Sequence, residues 1–126
     1  MDKKSVIEHN VPLVELCTVQ EKPCLKFTFT GTLTETGAIE AIKKWEEIFN
    51  ADPSKSYNLV WICHKMTGYE PKARIIWQNT MKRYKQQIMS IWLVTNSALI
   101  RAGGMIMSAF TSYDIKVVST EEKIKL

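Results

Sequence analysis

The seven residues YNLVWIC, positions 57 to 63, are apolar at almost every position. A run this short is a strand rather than a helix, and apolar side chains on both of its sides mean that it is covered on both faces, as the inner strands of a parallel sheet are. Ile88 to Thr95 repeats the pattern. Between the two, Ala73, Ile76, Trp77, Thr80, Met81 and Tyr84 recur at the spacing of one helical face, so residues 71 to 87 read as an amphipathic helix with Pro71 in its first turn. Strand, helix, strand in this order implies a right-handed crossover between parallel neighbours. If 59 to 63 were an edge strand or a helix, the registration of the whole chain would fail.

The flanking segments extend the same scheme. Residues 24 to 33, CLKFTFTGTL, alternate Leu25, Phe27 and Phe29 with Lys26, Thr28 and Thr30, a strand with one face on a core. Residues 13 to 19, LVELCTV, make a weaker strand joined to it through Gln20-Glu21-Lys22-Pro23, a hairpin. Gly37 to Asn50, entered through Thr34-Glu35-Thr36, is expected to be a helix with Ile39, Ile42, Trp45, Glu46 and Phe49 inward. After the 88 to 95 strand, Asn96-Ser97 caps a helix from Ala98 to Phe110, with Leu99, Ala102, Gly103, Ile106 and Phe110 inward. Gly103 and Gly104 each weaken that helix by about 1 kcal/mol relative to Ala, which is understandable if its backbone packs closely on the sheet. Tyr113 to Ser119 closes the sheet, and Thr120-Glu121-Glu122 begins a short final helix.

The expected fold is therefore α/β: one mixed, mostly parallel sheet of about four to five strands, an N-terminal β-hairpin, three main helices and a short C-terminal helix, with crossovers covering both faces unevenly. The 126 residues are one domain of ordinary size, with a core over 13 to 126 and an N-terminal arm over 1 to 12. No apolar run approaches the ~18 residues of a membrane span, and Met1-Asp2-Lys3-Lys4 leads into no signal-peptide core, so the expectation is a cytoplasmic protein with no integral membrane segment.

The net charge of +4 is concentrated. Lys72, Arg74, Lys82, Arg83 and Lys85 lie between positions 71 and 87 with no acid among them, and the remaining 12 basic residues face 13 acids. The excess belongs to one helix. It is either a solvated face or a footprint for an acidic partner or anionic headgroup. Nucleic acid is not expected, because no aromatic platform accompanies the charge. Cys17, Cys24 and Cys63 include no C-x-x-C pair, and the two histidines, His9 and His64, are widely separated, so neither a metal centre nor a cofactor is expected. The cysteines read as small buried side chains. Cys17 and Cys24 flank the hairpin and a disulfide between them remains a minor alternative in a reducing compartment.

With this element order over residues 13 to 126, the string LVWICHKMTGYEPKARIIW and the ending DIKVVSTEEKI, the chain resembles the SpoIIAA-like branch of the STAS fold (sulfate transporter and anti-sigma-factor antagonist). In anti-sigma-factor antagonists the loop after the central strand reads Asp-Ser-Ser-Gly, and a partner kinase phosphorylates its second serine. Laid over this sequence, those positions fall on Glu70, Pro71, Lys72 and Ala73. Lys72 thus occupies the phosphoacceptor-equivalent position with no hydroxyl and the opposite charge. Thr67 is the nearest hydroxyl, but it precedes Gly68. The stretch is similar to the G-[FY]-x-P-x-A variant of SpoIIAA-like proteins, here Gly68-Tyr69-Glu70-Pro71-Lys72-Ala73.

Read physically, Gly68 permits a turn off the strand, Glu70 puts negative charge at the positive end of a helix, and Pro71 fixes the first helical φ. Tyr69 is either a contact residue or a plug at the edge of the core. If His64 continues the strand that ends at Cys63, the two side chains point to opposite faces, which is poor geometry for a nucleophile and its base. No Walker loop, G-x-S-x-G or G-x-G-x-x-G is present.

The resemblance implies a non-enzymatic protein-interaction module that docks an anti-sigma-like, kinase-like or self-associating partner through Met66, Thr67, Gly68, Tyr69, Glu70, Lys72, Arg74, Lys82 and Arg83. The alternative is a small carrier for an apolar or acyl ligand held between helices and sheet, with Trp45, Trp61, Trp77, Trp92 and the methionines as adaptable lining. Tyr69 would anchor a docked partner, with the basic residues setting rate and salt dependence. On the burial side, Trp77, Met81 and Tyr84 are expected inside and Lys72, Arg74, Lys82 and Lys85 outside.

Overall fold

The computed structural model describes residues 11–126. The expected arm over residues 1 to 12, His9 included, lies outside the described residues except for Val11 and Pro12. In chain order the elements are β1 (Leu13–Val19), β2 (Lys22–Leu33), α1 (Glu35–Ala51), β3 (Tyr57–Tyr69), α2 (Pro71–Arg83), a 3-10 turn (Lys85–Gln87), β4 (Ile88–Val94), α3 (Ala98–Thr111), β5 (Ile115–Val118) and a second 3-10 turn (Glu121–Lys123). They build one sheet in the order β1-β2-β3-β4-β5, antiparallel between β1 and β2 and parallel elsewhere.

Consecutive order has a topological consequence. Crossovers of one hand that always advance in one direction place every helix on the same face. The large core accordingly joins Phe27, Leu59, Trp61 and Leu93 to Trp45, Trp77, Met81 and Ile100 from the three helices. Val60, Ile62, Trp92 and Val94 point the other way and are covered by Ile124, with Val118 and Leu126 alongside. The expected uneven helical cover of both faces is thus corrected: helices cover one face, and the C-terminal segment covers the middle of the other. This arrangement explains YNLVWIC, whose alternate residues enter the two cores.

The C-terminal segment is held at the hairpin. Gln20 Nε2 donates to the Ile124 carbonyl at 2.8 Å, Leu126 N–H donates to Gln20 Oε1 at 2.9 Å, and Lys22 Nζ donates to the Leu126 carbonyl at 2.8 Å. At the same end of the sheet, where β3 and β4 begin, buried Gln87 donates through Nε2 to the carbonyls of Phe49, Asp52 and Lys55 at 3.0–3.2 Å, tying the end of α1 and the loop after it to the start of β4.

Three sequence expectations shift. α1 starts at Glu35, because the Thr34 hydroxyl accepts from Gly37 N–H at 3.0 Å and sets the cap two residues earlier than the apolar stripe suggested. Its inward residues are Ala38, Ala41, Ile42, Trp45 and Phe49, and Ile39 is exposed. α2 ends at Arg83, and Tyr84, expected mainly inside, is half-buried at its C-cap and packs against the core. α3 is rotated by about one residue: Ile100, Gly103, Gly104 and Thr111 face inward, while Leu99, Met105 and Phe110 are 57–65% exposed. The glycines fix that rotation. A Cβ on Gly104 would lie 2.7 Å from Leu93 Cδ2, so the helix approaches β4 at a distance that only glycine allows.

Candidate functional site

β3 continues six residues beyond the apolar run, to Tyr69. Its extension pairs with the end of β2, with Thr30 opposite Lys65, Gly31 opposite Met66, Thr32 opposite Gly68 and Leu33 opposite Tyr69, and the register shifts on either side of the Thr30–Gly31 pair. β4 pairs with β3 only as far as Ile62. Met66, Thr67, Gly68 and Tyr69 are therefore strand residues that project past β4, which corrects the expectation of a loop. Gly68 is no turn; among the described glycines the left-handed conformation belongs to Gly31, with φ 70°, at the register shift.

Glu70 stands at the head of α2, and its role there is inter-element. Its backbone N–H donates to the Leu33 carbonyl at 2.9 Å, and its carboxylate accepts from Glu35 N–H at 2.7 Å. The negative charge therefore serves the N-terminus of α1 and not, through a side-chain cap, that of α2. Thr67 is exposed with its hydroxyl 3.4 Å from that of Thr32. The Tyr69 ring lies on α3, where a Cβ on Gly103 would come within 2.7 Å of it.

The basic residues divide into two groups. Lys72, Lys82 and Lys85 are exposed, and among the described residues they enter no ion pair. Arg83 is exposed too, but it reaches Glu46 of α1 at 2.8 Å and stacks over the Tyr84 ring. Arg74 was expected outside and is half-buried instead. It donates from Nη1 to Gln78 Oε1 at 2.8 Å, and both side chains turn toward the protein.

Arg74 and the strand end flank a cleft between β3, α2 and α3 that Trp61, Met66, Tyr69, Trp77, Gly103 and Met107 also line. Its free volume is about 40 Å³. A water needs roughly 10–15 Å³ by that measure, so the cleft holds a few waters and no acyl chain as it stands. Among the described residues, neither the buried Trp61 Nε1 nor Trp45 Nε1 has a hydrogen-bond partner. The carrier alternative placed a pocket between helices and sheet; a small cleft lies there with Trp61, Trp77 and two methionines in its lining, but Trp45 is in the core and Trp92 is on the other face of the sheet.

Cys63 and His64 behave as the strand alternation requires. Cys63 is buried in the helix-side core and desolvation pushes its thiol up to about 12, while His64 is exposed. Among the described residues no three His, Cys, Asp or Glu side chains are gathered as a metal would need, and no helix is long and apolar enough to cross a membrane.

Sheet order, hairpin and one-sided helices define a SpoIIAA-like fold. Among solved structures the chain is similar to the crystal structure of an uncharacterized protein of the DUF3478 family with a SpoIIAA-like fold from Shewanella loihica PV-4, with a TM-score of 0.74 and 12% identity over 89% of each chain. No family model matches, and no curated protein is similar in sequence. At that identity the likeness concerns the fold alone.

Proposed function

We propose that this chain is a non-enzymatic protein-interaction module of the STAS type, docking an acidic face of an anti-sigma-like, kinase-like or identical partner through the outer side of α2. The observation that carries the reading is the stripe Lys72, Ile75, Asn79 and Lys82, all exposed and spaced along one helical side, with Lys85 and Arg83 beyond it. Ile75 is 47% exposed between two lysines about 15 Å apart along the helix. An apolar contact bracketed by unpaired cations suits a partner with a small pocket in an acidic rim. Tyr69, held on α3, and the strand residues from Met66 lead into the first turn of α2.

Lys72 is also why the interaction is not governed by oxygen phosphorylation at the usual position. The side chain there is already cationic, so association is constitutive and salt-sensitive. The test is affinity capture with the native chain and with a Lys72→Glu/Lys82→Glu variant. A specific protein retained by the first and lost from the second supports the reading, and identical retention by both sinks it.

A carrier reading draws on a different observation: Trp61, whose Nε1 finds no partner among the described residues, and half-buried Arg74 line the same cleft. A ligand with an apolar body and an acceptor head would satisfy both, provided α3 moved away from Tyr69 to enlarge the cleft. Mass spectrometry of organic extracts from the purified native protein decides it: a stoichiometric amphiphile supports the carrier, and an empty extract together with unchanged tryptophan emission on fatty-acid titration excludes it.

A further inference from the structure

β1 and β2 are joined by a two-residue turn, Gln20 and Glu21, with φ of 52° and 65°. This is the backbone pattern of a tight hairpin, carried by two residues that do not favour positive φ. The turn fixes the register that follows: Val19 opposite Lys22, Thr18 opposite Pro23, and Cys17 opposite Cys24. Directly opposed residues of an antiparallel pair present their side chains on the same face with Cβ atoms about 4.5–5.5 Å apart. A disulfide spans about 3.5–4.5 Å between Cβ atoms, so closing the bridge requires a contraction of roughly an ångström. The Cys24 thiol donates to the Lys22 carbonyl at 3.5 Å, which holds it beside the turn.

We propose that Cys17 and Cys24 form a reversible dithiol–disulfide site that a small-molecule disulfide of the glutathione type oxidises through Cys17. Cys17 is the point of entry because it is half-exposed, whereas Cys24 is 0% exposed. The Cys17 thiolate attacks one sulfur of the small disulfide, forming a mixed disulfide and releasing one small thiol. Cys24, losing its proton, then attacks Cys17 Sγ, forming the Cys17–Cys24 bond and releasing the second small thiol. The protein loses two electrons and two protons, and both small thiols leave carrying them.

The surroundings set the rate. Burial raises the Cys17 thiol above its ordinary value, Lys26 across the hairpin opposes that shift, and Glu15 and Glu121 reinforce it. Exchange is consequently slow at neutral pH and accelerates as the solution becomes alkaline. Cys63 provides an internal control, since it lies in the core on the other face of the sheet and remains a thiol. Closing the bridge also locks the strained turn from which Gln20 reaches the C-terminal segment.

The experiment treats the folded, reduced full-length chain with glutathione disulfide at mildly alkaline pH, then alkylates free thiols under denaturing conditions and maps the peptides. The expected result is a Cys17–Cys24 bridge with Cys63 alkylated, reversal by dithiothreitol, and a Tm about 5–10 °C higher in the oxidised form. In Cys24→Ser the reaction stops at glutathione attached to Cys17; in Cys17→Ser, which alters a half-exposed position and leaves the core intact, Cys24 stays unmodified. A wild-type chain that stops at the Cys17 mixed disulfide, that bridges through Cys63, or that does not react while folded overturns the proposal.

Discussion

The phenol ring of Tyr69 lies against the backbone of Gly103, so close that a single methyl group on the glycine would stand 2.7 Å from the ring. This contact joins the projecting end of β3 to α3 and forms one wall of the cleft. Its neighbour Gly104 makes a different approach, with Leu93 Cδ2 at 2.7 Å from the same hypothetical methyl.

The two glycines therefore respond differently to Ala. Each substitution gains about 1 kcal/mol of helix propensity. At Gly104 the gain is outweighed, because Leu93 is only 2% exposed and has nowhere to go; overpacking of this kind costs about 1–3 kcal/mol. At Gly103 the half-exposed Tyr69 ring can swing outward. Urea denaturation should show Gly104→Ala destabilised and Gly103→Ala close to neutral. A Gly103→Ala, Tyr69→Ala cycle should reveal coupling between the two positions, and strict additivity would contradict the contact.

Gln87 carries a second prediction. One side-chain amide serves the Phe49, Asp52 and Lys55 carbonyls, the first of these bonds buried, so Gln87→Ala strands the Phe49 acceptor away from water and frees the exposed loop after α1. The expected loss is about 1–3 kcal/mol, with Gln87→Glu at least as damaging near neutral pH because a carboxylate offers these carbonyls no donor. Thermal unfolding measures it.

How much of this was legible in the sequence depends on what fixed each feature. The alternation Leu25, Phe27, Phe29 is local, and β2 follows it. The end of β3 is not local: His64 to Thr67 read as a polar loop, and they form strand only because Thr30 to Leu33 of β2 lie alongside. α3 is apolar on several sides, so its stripe could be placed in more than one phase, and the phase was decided by backbone approach at Gly103 and Gly104. The exposed lysines of α2 were evident from charge spacing. Arg74 was not, because its inward turn depends on Gln78 one helical turn away and on a cleft built by three separate elements.

Alkaline pH offers a third test. The Cys63 thiol, at about 12 when folded, keeps its proton while the unfolded thiol ionises near its ordinary value of 9.0. Between those values the unfolded state holds fewer protons, so stability falls as pH rises; it is fully retained below pH 9.0. The slope approaches about 1.4 kcal/mol per pH unit for one such group. Cys63→Ala is less stable at neutral pH but should show a shallower decline above it. Parallel decline of the two proteins in denaturant titrations would contradict a buried neutral thiol.

Thr67 supplies a fourth expectation. It is exposed, but it lies in the strand extension beside Thr32 and not at the first turn of a helix, where added negative charge would be stabilised by the dipole. Incubation with ATP and a cell extract, followed by mass spectrometry, should leave it unmodified. Stoichiometric phosphate on Thr67 would contradict this expectation.

The face of the sheet away from the helices makes the last prediction. Val60, Ile62, Trp92 and Val94 depend on Ile124, itself 2% exposed, for their cover. Ile124→Ala removes that cover and leaves a partial void, a change of about 2–4 kcal/mol in stability. The segment is anchored by polar bonds from Gln20 and Lys22, so Gln20→Ala should loosen the same cover by a smaller amount, about 1 kcal/mol. Since the two changes act on one docked segment, their effects should be less than additive, the second finding the segment already partly released. Hydrogen exchange provides the discriminating readout. Amides of β5 and the Glu121–Lys123 turn should lose protection in both variants while those of α2 keep theirs, and uniform loss across the molecule would mean that Ile124 belongs to a single indivisible core.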